Sequence, residues 1–101
     1  MIIVTGSVTA KPGGFEALFE ACRAHVARSR TEDGCISHAV RIDGEDPMKL
    51  VFFEEWRDMP ALRAHFATPG IQELFAAFRD HAGASEQITT YEAAKLPPVA
   101  G

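Results

Sequence analysis

The sequence predicts an α+β fold with strands and helices in the order β-α-β-β-α-β. Two observations support this prediction. The apolar residues repeat at every second position in some stretches and at every third or fourth in others, and each change of period falls at a cluster of turn-forming residues. The length of 101 residues suits one domain. We therefore expect a ferredoxin-like arrangement, in which a four-stranded antiparallel sheet carries both helices on one face.

The first half of the chain contains three predicted strands and one helix. Residues 2–9 are rich in β-branched side chains and form the first strand, which ends at the Lys-Pro-Gly-Gly stretch 11–14. Residues 15–29 form a helix, because their apolar side chains repeat with helical spacing. Residues 35–42 and 48–56 form a hairpin around a turn-forming segment. The apolar stripe of the helix consists of Phe15, Leu18, Phe19, Cys22 and Val26.

The second half begins with a short helix that follows the third strand almost without a loop. Asp58 is placed as its N-cap, where a carboxylate accepts hydrogen bonds from first-turn amides. A Thr-Pro-Gly break then precedes a second amphipathic run over residues 71–81, and residues 87–92 form the fourth strand. We expect one domain over residues 1–93 and a proline-rich tail over residues 94–101.

Composition and charge exclude several classes of function. The net charge is −4 and the acidic and basic residues are interspersed, so the chain lacks the basic surface that nucleic-acid binding requires. No apolar segment approaches the roughly 20 residues needed to span a bilayer, and the apolar start of the chain is too short for a signal sequence. We therefore expect a cytoplasmic protein that binds neither nucleic acid nor membrane.

The third predicted strand is apolar on both of its faces. Leu50, Phe52 and Trp56 alternate onto one face, whereas Val51 and Phe53 point to the other. Helices on one side of the sheet can cover only one of these faces. We therefore expect a second copy of the chain to cover the other face, which gives a homodimer joined sheet to sheet.

Four stretches resemble the antibiotic biosynthesis monooxygenase family. They are IIVTGSVTAKPG near the start, EDGC before the second strand, FFEEWRD at the end of the third and ALRAHFATP after it. The most specific is E-x-W-x-D-x-x-A-L-x-x-H, which runs from Glu54 to His65. Within the family, the chain is most similar to small bacterial cofactor-independent quinol monooxygenases. The resemblance covers residues 2–91 and implies a dimeric α+β barrel.

The resemblance also implies an activity. Such enzymes oxygenate quinol-like or polycyclic, polyketide-like aromatics with dioxygen and without metal, flavin or haem. A deprotonated quinol is itself a reductant, so the protein needs an apolar slot, a base and exclusion of water. His65 is the predicted base, since imidazole titrates near neutral pH, and Glu54 is predicted to contact and orient it. The predicted substrate-binding residues are His38, Phe52, Trp56, Phe66, Phe75 and Phe78.

A structural interpretation of the same residues stays open. His38 and His65 could be buried side chains that form hydrogen bonds with polar neighbours, and the aromatic residues could simply fill the core. His25 and His81 are predicted to lie at the surface. No histidine and carboxylate pair has the spacing of metal ligands, so we expect neither a metal nor another cofactor.

Three alternative functions also follow from the sequence. Haem-degrading members of the family use an asparagine, a tryptophan and a histidine at positions occupied here by Gly6, His65 and Phe75, which disfavours that branch. An isomerase or degradation enzyme for a small phosphorylated metabolite or signal molecule would need a cation, which Arg41 or Arg63 could supply. The third alternative is a non-catalytic dimeric module that binds a small aromatic molecule.

Overall fold

The computed structural model describes residues 1–100 and confirms the predicted α+β, ferredoxin-like fold. One antiparallel sheet carries three helices, because a break at Ala67–Pro69 divides the second helical region in two. The elements are β1 Ile2–Ala10, α1 Phe15–Ser29, β2 Cys35–Ile42, β3 Lys49–Trp56, α2 Met59–Phe66, α3 Gly70–His81, β4 Ala82–Ser85 and β5 Thr89–Glu92. In the part of the chain described, no helix is both long and apolar enough to cross a bilayer.

The strand order in the sheet is β2-β3-β1-β4, and β5 also pairs with β1. The strands β4 and β5 lie along the two ends of β1, with Ser85 opposite Val8 and Thr89 opposite Thr5. The sequence predicted one strand over residues 87–92 and a four-stranded sheet. The structure instead has two strands here, β4 and β5, and the sheet has five strands. The strand β4 consists of alanine, glycine and serine, which have weak strand propensity. Its pairing with β1 therefore depends on tertiary contacts that the local sequence does not reveal.

The two faces of the sheet differ in what covers them. The side chains of Val4, Val8, Leu50 and Trp56 point toward the helices and are at most 1% exposed. Phe53 points the other way and is 39% exposed. The prediction of apolar side chains on both faces is thereby confirmed. We call the side of the sheet away from the helices the open face; its apolar residues are Ile3, Ala39, Val51, Phe53 and Tyr91.

The junction of β3 and α2 fixes the direction in which α2 presents its side chains. The Asp58 carboxylate accepts a hydrogen bond from the Ala61 amide at 2.9 Å, which confirms the predicted N-cap. Pro60 lies in the first turn, where its missing N–H has no intrahelical partner to lose. Because the helix begins at this fixed point, Leu62 and His65 fall on its buried side, against the sheet.

Candidate functional site

Three histidines from three different elements lie together between the helices and the sheet. His25 comes from α1, His38 from β2 and His65 from α2, and their residues are 4%, 1% and 2% exposed. Their ring centroids are 5.0 to 5.6 Å apart. The Trp56 ring lies 4.6 Å from the ring of His65. We refer to His25, His38 and His65 as the histidine cluster.

The carboxylate that contacts His65 belongs to Glu32, in the turn between α1 and β2. Its Oε1 lies 2.7 Å from Nδ1 of the imidazole. The prediction that Glu54 makes this contact was wrong, because the turn after α1 brings Glu32 closer to α2. An ionised carboxylate only accepts hydrogen bonds, so in the neutral ring Nδ1 carries the proton. The Nε2 of His65 is then left as a proton acceptor.

Glu54 is buried, and its carboxylate contacts two other side chains. It lies opposite His38 in the register of β2 and β3, so their side chains are neighbours on the same face. The indole Nε1 of Trp56, two residues along the same strand, donates a hydrogen bond to Oε1 at 2.9 Å, and Nε2 of His38 lies 3.2 Å from that oxygen. Burial acts to raise the pKa of Glu54, but the contacts with His38 and Trp56 outweigh it and lower the pKa below its usual value.

Neither ring nitrogen of His38 has a hydrogen-bond partner among residues 1–100. Its Nε2 is within ion-pair distance of Glu54 but is not aligned as a hydrogen bond, and no atom of residues 1–100 bonds its Nδ1. The residue is 1% exposed. Buried polar atoms are almost always hydrogen-bonded in proteins, so an imidazole nitrogen in this position calls for an explanation.

The prediction that His25 lies at the surface was wrong. It is seven residues after Leu18 and three after Cys22, so it falls on the buried stripe of α1 despite its polarity. Helical spacing could have revealed this, had the histidine been counted with the apolar residues. Burial, with smaller contributions from His38 and His65, lowers the pKa of His25 to about 3. The ring is therefore neutral at pH 7. His81, by contrast, is half-buried at the end of α3.

A cavity of about 260 Å³ opens beside the histidine cluster. Its polar wall includes His25, Glu54 and His65, and its remaining wall is mainly apolar. Four of the predicted substrate-binding residues line it, namely Phe52, Phe66, Phe75 and Phe78. The other two, His38 and Trp56, are not among the lining residues of the described chain. They lie behind the wall, where both contact Glu54.

Residues 1–86 match the model of the antibiotic biosynthesis monooxygenase family, and the chain belongs to that family. The resemblance that the sequence suggested is thereby confirmed. A protein of Deinococcus radiodurans with the provisional name antibiotic biosynthesis monooxygenase has the same fold over 100% of both chains, with a TM-score of 0.91 and 26% sequence identity. The Pseudomonas aeruginosa protein PA3566 matches 93% of this chain and 94% of its own, with a TM-score of 0.84 and 29% identity.

The chain is also similar in sequence to a protein of a cyanobacterial strain. It is an uncharacterized protein of Synechocystis sp., 32% identical over 94 residues. The match includes 93% of this chain but only 64% of the Synechocystis protein, so that protein is longer than the region the two share. The family model, rather than this relative, indicates a monooxygenase-like fold and small-molecule binding.

Proposed function

We propose that the protein is a cofactor-independent monooxygenase that oxidises a quinol-like or polycyclic aromatic substrate with dioxygen in the cavity beside the histidine cluster. The observation that supports this most directly is the position of His65. Glu32 holds Nδ1 of this ring, which leaves Nε2 as the proton acceptor. His65 also lines the mainly apolar cavity. An apolar cavity that contains one oriented base meets the requirements of this chemistry.

In the proposed reaction, His65 takes a proton from a hydroxyl group of the substrate. The resulting anion passes one electron to dioxygen, and the two radicals combine to form a carbon–oxygen bond. The peroxide anion takes up the proton that His65 received, and the hydroperoxide then loses water together with the hydrogen of the attacked carbon. One oxygen atom thus stays on the ring as a carbonyl, and the other leaves as water. Glu54, which also lines the cavity, is proposed to accept a hydrogen bond from a second hydroxyl group. The aromatic wall residues are proposed to hold the flat ring and exclude water.

The size of the cavity favours a small substrate. Its volume of about 260 Å³ lies just below the roughly 300–1,000 Å³ of typical drug-sized pockets. Within the proposed class of substrates, this volume favours a quinol-like compound of one or two rings over a larger polycyclic one.

The charge of the cavity wall bears on the isomerase alternative. Among residues 1–100, no lysine or arginine lines the cavity. Arg41 lies opposite Val51 on the open face, and Arg63 is exposed on α2. A phosphorylated substrate needs a cation, which the described wall of the cavity does not supply. A neutral aromatic substrate needs no cation. The binding module remains the second candidate, since the same cavity could hold an aromatic ring without turnover.

We also propose that two chains associate through their open faces. This proposal is supported by the exposed apolar side chains there, of which Phe53 is 39% and Tyr91 52% exposed. The proposed domain covers residues 1–93, because the amide of Ala93 still donates to the carbonyl oxygen of Met1. The tail over residues 94–101 ends at Gly101, which lies outside the described residues. The cytoplasmic location stays a prediction.

Oxygen uptake by the purified protein with reduced naphthoquinols tests the proposal. We expect uptake above the spontaneous rate for the wild type and a loss of about 10²–10⁴-fold in His65→Ala, the range for removal of a general base. His81→Ala is the matched control, because this histidine lies outside the cavity and should retain full activity. Binding of quinols without any excess uptake would instead favour the binding module.

A further inference from the structure

We propose that the histidine cluster is a binding site for one divalent transition-metal ion, of which Zn²⁺ is the representative, with one ring nitrogen of His25, His38 and His65 as the ligands. Imidazole nitrogen is a preferred ligand of zinc and its neighbours in the first transition row. Three protein ligands leave one position for water or another small molecule, as in many catalytic zinc sites. This proposal does not depend on the proposed oxygenase activity.

The geometry of the cluster supports a metal site. One nitrogen from each ring can be chosen so that all three lie within 4.8 Å of one another. Two nitrogens bound to the same zinc at about 2.0–2.1 Å in tetrahedral geometry are about 3.3 Å apart. Binding therefore requires the rings to approach by about 1.5 Å at most, which small side-chain rotations can provide.

Two of the three rings lie close to a carboxylate, and one of them, His65, is hydrogen-bonded to it. Glu32 contacts Nδ1 of His65, and Glu54 lies 3.2 Å from Nε2 of His38, so each ring has its other nitrogen free. Carboxylates commonly hold the second nitrogen of a metal-bound imidazole in this way, which fixes the tautomer and the direction of the free nitrogen. Both nitrogens of His38 lack a hydrogen-bond partner among residues 1–100, and a metal ion would supply a partner for one of them.

The cavity gives an ion a route to the cluster. His25 and His65 both line it, and Glu54 adds a negative charge to the same wall. A bound ion would use the nitrogen of His65 that the proposed oxygenase reaction needs as its base. Metal binding and metal-free oxygenation should therefore exclude each other.

Calorimetric titration of chelator-treated protein with ZnCl₂ tests the site. We expect one ion bound per chain, and visible absorption of tetrahedral character when Co²⁺ replaces Zn²⁺. His38→Ala should weaken the affinity at least tenfold. His81→Ala should leave it unchanged, because the fourth histidine of the chain is not part of the cluster.

Circular dichroism shows whether the variants are folded. If His38→Ala is not, Glu32→Gln provides the second test, since loss of a carboxylate behind a metal-bound histidine typically weakens binding 10–100-fold. The proposal is overturned if the wild type binds no stoichiometric ion, or if His81→Ala weakens binding as much as the cluster variants do. Neither result would affect oxygen uptake by the metal-free protein, so the two proposals fail separately.

Discussion

Oε1 of Glu32 lies 2.7 Å from Nδ1 of His65, although the two residues are 33 positions apart in the chain. This contact joins the turn after α1 to the last turn of α2. It orients the imidazole of a residue that is 2% exposed and that belongs to the polar wall of the cavity. The orientation of His65 is therefore determined by a residue that does not itself line the cavity.

Glu32→Gln tests this positioning role. The amide oxygen can still accept a hydrogen bond from Nδ1, but the negative charge that favours the imidazolium formed on proton transfer is lost. We expect kcat for quinol oxidation to fall about tenfold with KM unchanged, by analogy with the loss of a carboxylate that supports a metal-bound histidine. Oxygen-uptake kinetics measure both constants. A rise in KM at constant kcat would mean that Glu32 affects substrate binding instead.

Trp56→Phe tests the hydrogen bond that supports the buried carboxylate of Glu54. The substitution removes the indole donor at 2.9 Å and leaves a buried acceptor with one partner fewer. We expect the free energy of unfolding to fall by about 1–3 kcal/mol, measured by urea denaturation. In a Glu54→Gln background, Trp56→Phe should lower the free energy of unfolding by less, because the charged acceptor is already absent. Additive losses in the double variant would show that the two side chains are not coupled.

The burial of His25 predicts a dependence of stability on pH. Its pKa is lowered from 6.5 to about 3 in the folded chain, so below pH 6.5 the unfolded chain binds a proton that the folded chain does not. The stabilisation is complete above pH 6.5 and is lost progressively as the pH falls toward 3. In metal-free protein, His25→Phe should reduce the slope of unfolding free energy against pH by up to about 1.4 kcal/mol per unit between pH 6 and 4. An unchanged slope would contradict the burial of a neutral His25.

The proposed dimer predicts a particle of twice the 11.0 kDa chain mass in light scattering at micromolar concentration. Phe53→Glu places a charge on the open face and should give monomers, because a buried unpaired carboxylate is costly. Phe75→Glu is the matched control, since this residue has similar exposure, 37% against 39%, but lies on α3. A wild-type particle of 11.0 kDa would refute the dimer.

The sequence predicted those parts of the fold that depend on local pattern. The bounds of α1 and β2, the two apolar faces of β3 and the cap at Asp58 follow from periodicity and from short-range hydrogen bonding. The strand β4 could not be predicted in this way, because Ala-Gly-Ala-Ser has little strand propensity and pairs only where β1 offers an edge.

The site was less predictable than the fold. The aromatic wall and the burial of His65 follow from helical and strand spacing. The contact with Glu32 does not, because it joins two segments whose approach is set by the packing of α1 and α2 on the sheet. The histidine cluster is missed for the same reason, since its members are 13 and 27 residues apart and no local spacing relates them.

Nitrogen-15 NMR of the histidine rings, during titration with a redox-stable naphthol, tests the central claim most directly. The account predicts that the His65 ring carries its proton on Nδ1 in the free protein, and that its Nε2 resonance moves as the hydroxyl group of the naphthol binds. Resonances of His81 should not move. A His65 ring protonated on Nε2, or an unchanged Nε2 resonance at saturating naphthol, would contradict the account.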